Sequence, residues 1–210
     1  MIPVNVLAVQ YLSAASADLC KALNAPKGYP CLGLITTDCD DATYIALDEA
    51  TKSAEVQVCF GSSFYAGAAN ASTPNAGEVL GVLCATTPGA VRSGMEAALS
   101  ALERIGFEQA KDVPYLAYTV SSCGSFLAKE AEVPEGSSLA YLIAPPLESM
   151  YALDAALKAA QVRLCTLYSP PSPTNFGGGL LSGTRSACEA ACGAFAASVA
   201  EIAGNPNMQR

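Results

Sequence analysis

Asp48-Glu-Ala-Thr-Lys-Ser-Ala-Glu-Val-Gln-Val-Cys59 is answered later in the chain by Asp154-Ala-Ala-Leu-Lys-Ala-Ala-Gln-Val-Arg-Leu-Cys165. Asp48, Ala50, Lys52, Ala54, Val56 and Cys59 each recur 106 positions on. The echo extends outward in both directions. Leu7-Ala8 and Ser13 match Leu116-Ala117 and Ser122 at an offset of 109, and Leu34-Ile35 matches Leu142-Ile143 at 108. The offset shrinks toward the C-terminus, as small deletions in the loops of the second copy would make it. Two halves folded alike predict a pseudo-symmetric molecule whose chemistry sits between copies or around an axis relating them. The division is predicted near Gly106–Lys111, giving domains over 1–108 and 109–210.

Each half reads as strand, helix, strand, helix, strand, long loop, strand and helix. Val4–Leu12 is a β-rich run, and Ser16 is a predicted N-cap for a short helix carrying Leu19 and Leu23. Cys31–Thr36 reads as a second strand, and a helix follows from about Thr43 to Ala54. Glu55–Phe60 alternates polar and apolar side chains, the mark of a half-buried strand. Val91, Met95, Leu99 and Leu102 form a helical stripe, as do Cys188, Cys192, Phe195, Val199 and Ile202. Between strand and last helix run two loops rich in glycine and small polar residues, Gly61–Gly77 and Ser169–Gly179. Loops of that length in a compact domain point to function. The fold class is α+β, with a small antiparallel-rich sheet and helices in each half.

Composition removes several functions. Histidine is absent, so the commonest general base and zinc ligand are missing. Eleven basic against 19 acidic residues leave a net charge of −8 and no basic cluster, which excludes phosphate-backbone binding. No nucleic-acid partner is predicted. No apolar run is read as spanning a bilayer, so no membrane partner is predicted either. The nine cysteines are odd in number, scattered, and unaccompanied by a leader-like start at Met1–Asn5, which reads as a reducing cytosol. Cys188 and Cys192, four residues apart, could present two thiols to a metal, but Phe195 and Val199 continue the same face into a core. Gly177-Gly-Gly179 lacks the Gly-Lys-Ser/Thr that completes a phosphate loop. No cofactor and no metal are predicted, and the chain is not expected to be an enzyme.

The duplicated strand–helix–strand, Leu34-Ile-Thr through Val56 and Leu142-Ile-Ala through Val162, resembles bacterial microcompartment shell domains. Those domains carry an alanine-rich helix ending in lysine shortly before an edge strand. From about Val4 to Pro206 the chain is similar to the tandem-domain shell proteins of ethanolamine-utilisation microcompartments. The most specific stretches are Asp40–Lys52, Tyr65–Ala69, Ala76–Val79, Ala140–Glu148 and Thr174-Asn175. The resemblance implies two circularly permuted shell domains per chain and a flat pseudo-hexagonal homotrimer. It further implies tiling with other shell proteins into a cytoplasmic compartment's wall, and metabolite transport through a gated central pore and small acidic pores that bind ethanolamine.

The resemblance also assigns residues. Lys52 and Lys158 read alone as helix ends meeting the dipole; by resemblance they lie at tile edges and contact neighbouring tiles. Asp40, in the turn Asp38-Cys39-Asp40-Asp41, reads alone as an N-cap, a role Asp41 could also take. Glu78 opens a strand. The family's small-pore carboxylates fall on Asp40 and Glu78, with Phe107 and Thr174 against them and Tyr65 beside them. Paired carboxylates favour a small ammonium ion and repel anions. The long loops Gly61–Gly77 and Ser169–Gly179 would set the central opening. Two rival classes remain: a soluble trimeric sensor or small-molecule-binding module, and an enzyme with Asp40 and Glu78 as an acid–base pair.

Overall fold

A computed structural model describes residues 1–65, 75, 77–170 and 172–207. The chain divides into two compact units. One holds Pro3–Ile105 together with Gly124–Leu127, and the other holds Met1–Ile2, Gly106–Cys123 and Ala128–Arg210. They are called here the N-unit and the C-unit.

In the N-unit, β1 (Val6–Leu12), β2 (Cys31–Thr37), β3 (Gln57–Ser63) and β4 (Val79–Ala85) form an antiparallel sheet in the order β1-β2-β4-β3. Helix α1 (Ala17–Ala22) follows β1, α2 (Asp40–Ser53) lies between β2 and β3, and α3 (Pro88–Leu102) follows β4. Val91, Met95, Ala98 and Leu102 of α3 are buried with Ile45, Ala46, Leu47 and Ala50 of α2. On the opposite side of the strands, Leu32, Val82 and Cys84 make a smaller cluster beneath Ala15, Leu23, Ala25 and Tyr29. Ser16 caps α1 through its hydroxyl, which accepts from the Leu19 N–H at 3.3 Å, as its sequence position predicts.

The C-unit repeats this plan with one added strand. Strands β5 (Glu108–Ala110), β6 (Val113–Val120), β7 (Ser138–Ala144), β8 (Val162–Tyr168) and β9 (Gly177–Gly183) run antiparallel in the order β5-β6-β7-β9-β8. Helices α5 (Pro146–Ala159) and α6 (Arg185–Gly204) are the counterparts of α2 and α3, and α4 (Ser125–Glu130), the counterpart of α1, begins in the N-unit segment Gly124–Leu127. The cysteine-bearing stripe of α6 is core: Cys188, Cys192, Phe195 and Val199 are buried with Leu142, Leu153 and Leu181. Burial drives the Cys192 thiol up to about 11, which suits a small core residue and not a thiolate ligand. The matched edge strands β3 and β8 each carry a register shift, between Val58 and Phe60 and between Leu164 and Thr166, so each falls on one of the matched cysteines.

Several boundaries differ from the sequence reading. Helix α2 starts at Asp40, three residues before Thr43, and β3 continues to Ser63. The second long loop ends earlier than expected, because Gly177–Gly179 belong to β9. A Cβ on Gly178 would lie 1.8 Å from the Leu142 carbonyl oxygen of β7, and one on Gly179 would lie 2.5 Å from the Thr166 carbonyl oxygen of β8, so these glycines serve tight pairing with the two neighbouring strands. Strand β5 lies where only a domain boundary was expected. Helix α6 is long and apolar enough to cross a membrane, contrary to the expectation that no run is. Its apolarity comes largely from alanine, and its large residues pack into the C-unit core.

Candidate functional site

The turn between β2 and α2 is organised by hydroxyls. The Thr37 Oγ1 accepts from the Cys39 N–H at 3.0 Å and lies 2.7 Å from the Thr43 Oγ1, which in turn donates to the Cys39 carbonyl at 2.8 Å. Cys39 therefore occupies the N-cap position without a side-chain cap bond, and neither Asp40 nor Asp41 takes that role. Both aspartates sit in the first turn, where the helix dipole favours negative charge. Asp38 turns the other way, accepting from the Asn5 backbone N–H at 2.8 Å and side-chain amide at 2.6 Å.

Asp40 is buried, and burial pushes its carboxyl above the ordinary range despite hydrogen bonds from Ser63 and the Asp41 N–H. The bond from the Asp41 N–H measures 2.9 Å. The Ser63 hydroxyl lies 2.6 Å from the Tyr44 hydroxyl, so Tyr44, Ser63 and Asp40 form a connected polar chain. Neither Tyr44 nor Ser63 was singled out in the sequence. The signal available was position: Tyr44 stands one turn after Asp40, and Ser63 ends the neighbouring strand.

Glu78 reaches the same place from the lead into β4. Its backbone N–H donates to the Thr37 carbonyl at 2.8 Å, and its carbonyl accepts from the Phe64 N–H at 2.8 Å. A Cβ on the preceding Gly77 would lie 2.1 Å from the Thr37 oxygen, so only glycine allows the two backbones to approach this closely. Half-burial raises the Glu78 carboxyl to about 7, with repulsion from Asp40 and then Asp38 adding to it. The adjacent Cys39 thiol is pushed up by burial and by Asp41, so it stays neutral. Two carboxyl groups thus share one small region with no cation among the groups that shift them. Such a pair is relieved by a proton or by a bound cation.

The other candidates are distributed as follows. Tyr65 belongs to the N-unit just past β3 and is exposed. Phe107 and Thr174 belong to the C-unit. Phe107 packs edge-on against Phe176 with ring centroids 5.6 Å apart, and the Thr174 hydroxyl lies 3.5 Å from the Ser172 hydroxyl. Lys52 and Lys158 close the last turns of α2 and α5, each paired within its own helix, to Glu49 and Asp154 respectively. Most of the Gly61–Gly77 segment expected to gate a central opening lies outside the described residues. Among the described residues no group of three or more cysteine or acidic side chains is arranged to hold a metal ion.

Comparison with known proteins places this geometry. The family model of the BMC domain matches residues 31–114. The bacterial microcompartment shell protein EutL of Clostridium perfringens (strain 13 / Type A) is 53% identical over 206 residues, covering 96% of this chain and 95% of that protein. The chain belongs to the EutL family of bacterial microcompartment shell proteins. EutL of Escherichia coli (strain K12) is 46% identical, covering 96% of this chain and 94% of that protein. The crystal structure of the ethanolamine utilization protein EutL from Leptotrichia buccalis C-1013-b superposes with a TM-score of 0.96 at 54% identity, covering 99% of this chain and 98% of that one. As an EutL-family member, the chain has a structural role in the shell of a microcompartment, within the cytoplasm. Its relatives are named as shell proteins and not as enzymes, in line with the noncatalytic reading of the sequence. The tandem shell-domain α+β fold that the resemblance implies is the fold of these structures.

Proposed function

We propose that this EutL-family chain forms a homotrimeric, pseudo-hexagonal tile that joins other shell proteins, with the permuted domains spanning 1–108 and 109–210. In this reading each tile has a gated central pore and small acidic pores, one per chain. The pore ligand is a small organic cation, ethanolamine in the pathway named for the Leptotrichia relative. Asp40 and Glu78 receive the ammonium group, while Phe107, Thr174 and Tyr65 line the opening. Lys52 and Lys158 lie at the tile edges. The loops Gly61–Gly77 and Ser169–Gly179 set whether larger molecules pass the central opening.

The observation that carries the ligand reading is the carboxyl pair. Glu78, held near Asp40 by the Gly77 approach, has its carboxyl raised to about 7 by burial and by like charge. An ammonium ion would relieve both effects at once, whereas an anion or a neutral diol would not. Titration calorimetry with ethanolamine, and with propane-1,2-diol as the neutral control, tests this. Heat from ethanolamine that is lost in Asp40→Asn and Glu78→Gln supports it. Equal binding of the diol, or unchanged ethanolamine binding in both variants, would sink it.

A further inference from the structure

The two units differ in their thiols at one matched place. Cys59 of β3 recurs as Cys165 of β8, each within the register shift of its strand. Across the sheet, Gln57 pairs with Cys84 of β4, and its twin Arg163 pairs with Ser182 of β9. The N-unit therefore has two thiols where the C-unit has one thiol and one hydroxyl.

The strand pairing brings the two N-unit thiols together. Cys59 stands two residues beyond Gln57, so it points to the same face of the sheet as Cys84. On that face Cys84 is buried with Leu32 and Val82, and Cys59 packs against this cluster. The Cys59 Sγ lies 3.5 Å from the Val82 carbonyl oxygen, and the Cys84 thiol hydrogen-bonds the Cys59 sulfur. Cys84 is fully buried and Cys59 is half-buried, so solvent reaches Cys59 first.

Their protons are divided unequally. The bond from Cys84 holds the Cys59 thiol below its ordinary range, outweighing burial. The same bond, and then burial, pushes Cys84 up, so Cys84 keeps its proton. Burial also pushes up Cys39, Cys165, Cys188 and Cys192. A partly exposed thiol inclined to ionise, with a second thiol in contact, is the arrangement of a peroxide-reactive cysteine and its resolving partner.

We propose that Cys59 and Cys84 are an oxidation site of the N-unit, where a hydroperoxide converts the pair to a disulfide joining β3 to β4. The Cys59 thiolate attacks one peroxide oxygen, the O–O bond breaks, and the leaving oxygen takes up a proton. Cys59 is then a sulfenic acid. The Cys84 sulfur attacks the Cys59 sulfur, the S–O bond breaks, and hydroxide leaves with the Cys84 proton as water. Two thiols are oxidised, and hydrogen peroxide is reduced to two waters. The new bond ties down edge strand β3 beside its register shift, where the ladder is interrupted. The C-unit cannot follow, because Ser182 offers no second sulfur. Cys20 lies near enough to raise Cys84, but its own Sγ is directed to the Ala15 carbonyl at 3.9 Å.

The test uses the folded wild-type chain and one equivalent of hydrogen peroxide, with free thiols then blocked by iodoacetamide. A glutamate-specific protease cuts after Glu55, Glu78 and Glu96, which puts Cys59 and Cys84 on separate peptides, 56–78 and 79–96. These should be recovered joined, about 2 Da lighter than their sum, and should part on reduction. Cys165 should remain open to iodoacetamide. Cys84→Ser installs the residue the C-unit already has, so it should keep the fold. In that variant the joined peptides should be lost and Cys59 should be trapped by dimedone as its sulfenic acid. Joining of Cys84 to Cys20, a Cys59 left unoxidised while another thiol reacts, or oxidation of Cys165 as fast as Cys59 overturns the assignment.

Discussion

Glu78 makes ligand binding a function of pH, and the size of the effect follows from its environment. Its carboxyl is raised to about 7 by burial and by the charges of Asp40 and Asp38. An ammonium ligand binds the ionised form, so the apparent affinity scales with the ionised fraction. Between pH 8 and pH 6 that fraction falls about tenfold for a group titrating near 7, and the dissociation constant should rise by the same factor. At pH 7 the group is half protonated, so binding should release about half a proton, measurable by calorimetry in buffers of differing ionisation heat. The stability of the ligand-free protein moves the opposite way. A carboxyl whose folded-state value is raised above its unfolded one destabilises the fold as pH climbs from the unfolded value through about 7. Asp40 is shifted in the same direction. Ethanolamine should therefore raise the melting temperature more at pH 8 than at pH 6. Glu78→Gln should bind more weakly and lose most of the pH dependence. An affinity that stays flat from pH 6 to pH 8, or a Glu78→Gln profile that tracks the wild type, would refute the reasoning.

Three further outcomes follow from the packing. Gly77→Ala drives a methyl against the Thr37 carbonyl, so it should cost about 2 kcal/mol in denaturant unfolding and weaken ethanolamine binding by displacing Glu78. Asp48→Ala leaves the Gly124 and Leu127 N–H groups without their carboxylate; a loss of about 3 kcal/mol, or roughly 6–12 °C in melting temperature, is expected. Asp48→Asn keeps one acceptor and should lose less, and a melting point unchanged in Asp48→Ala would show that the bonds contribute nothing net. Lys158→Ala removes an exposed lysine from the proposed tile edge, so electron microscopy should show loss of extended sheets while the sedimenting mass stays that of the wild type; sheets that persist would remove Lys158 from the edge.

The repeat in the sequence was enough to foretell that both halves share one succession of strands and helices, because hydrophobic periodicity and offset are both properties of the chain alone. What it hid were places where tertiary contact overrides local preference. Helix α2 begins at Asp40 because the Thr37 and Thr43 hydroxyls hold the turn, a bond set visible only once β2 and α2 are placed. Gly177–Gly179 looked like loop because glycine has weak strand preference; the close approach of Gly178 to β7 and of Gly179 to β8 is what requires it. Asp40 and Glu78 were legible only by resemblance, since 38 residues separate them and nothing local joins them. The burial of Asp48 had a signal that went unread: a carboxylate aligned with Asp41 and Ile45 on one helical stripe needs a buried donor.

The ownership of Gly124–Leu127 and of Met1–Ile2 governs how the chain can be made. Neither unit is complete within its own half of the sequence. On the ribosome, the N-unit has its sheet and helices by Ile105, yet the Asp48 carboxylate waits for Leu127. At ordinary elongation speeds those 22 residues take roughly one to four seconds, during which α2 presents an unsealed stripe. The C-unit in turn must keep the first two residues of the chain available until Phe107 arrives. A gene cut between the halves would therefore yield two fragments that each lack a piece held by the other, and co-expression of the two should restore what neither can fold to alone.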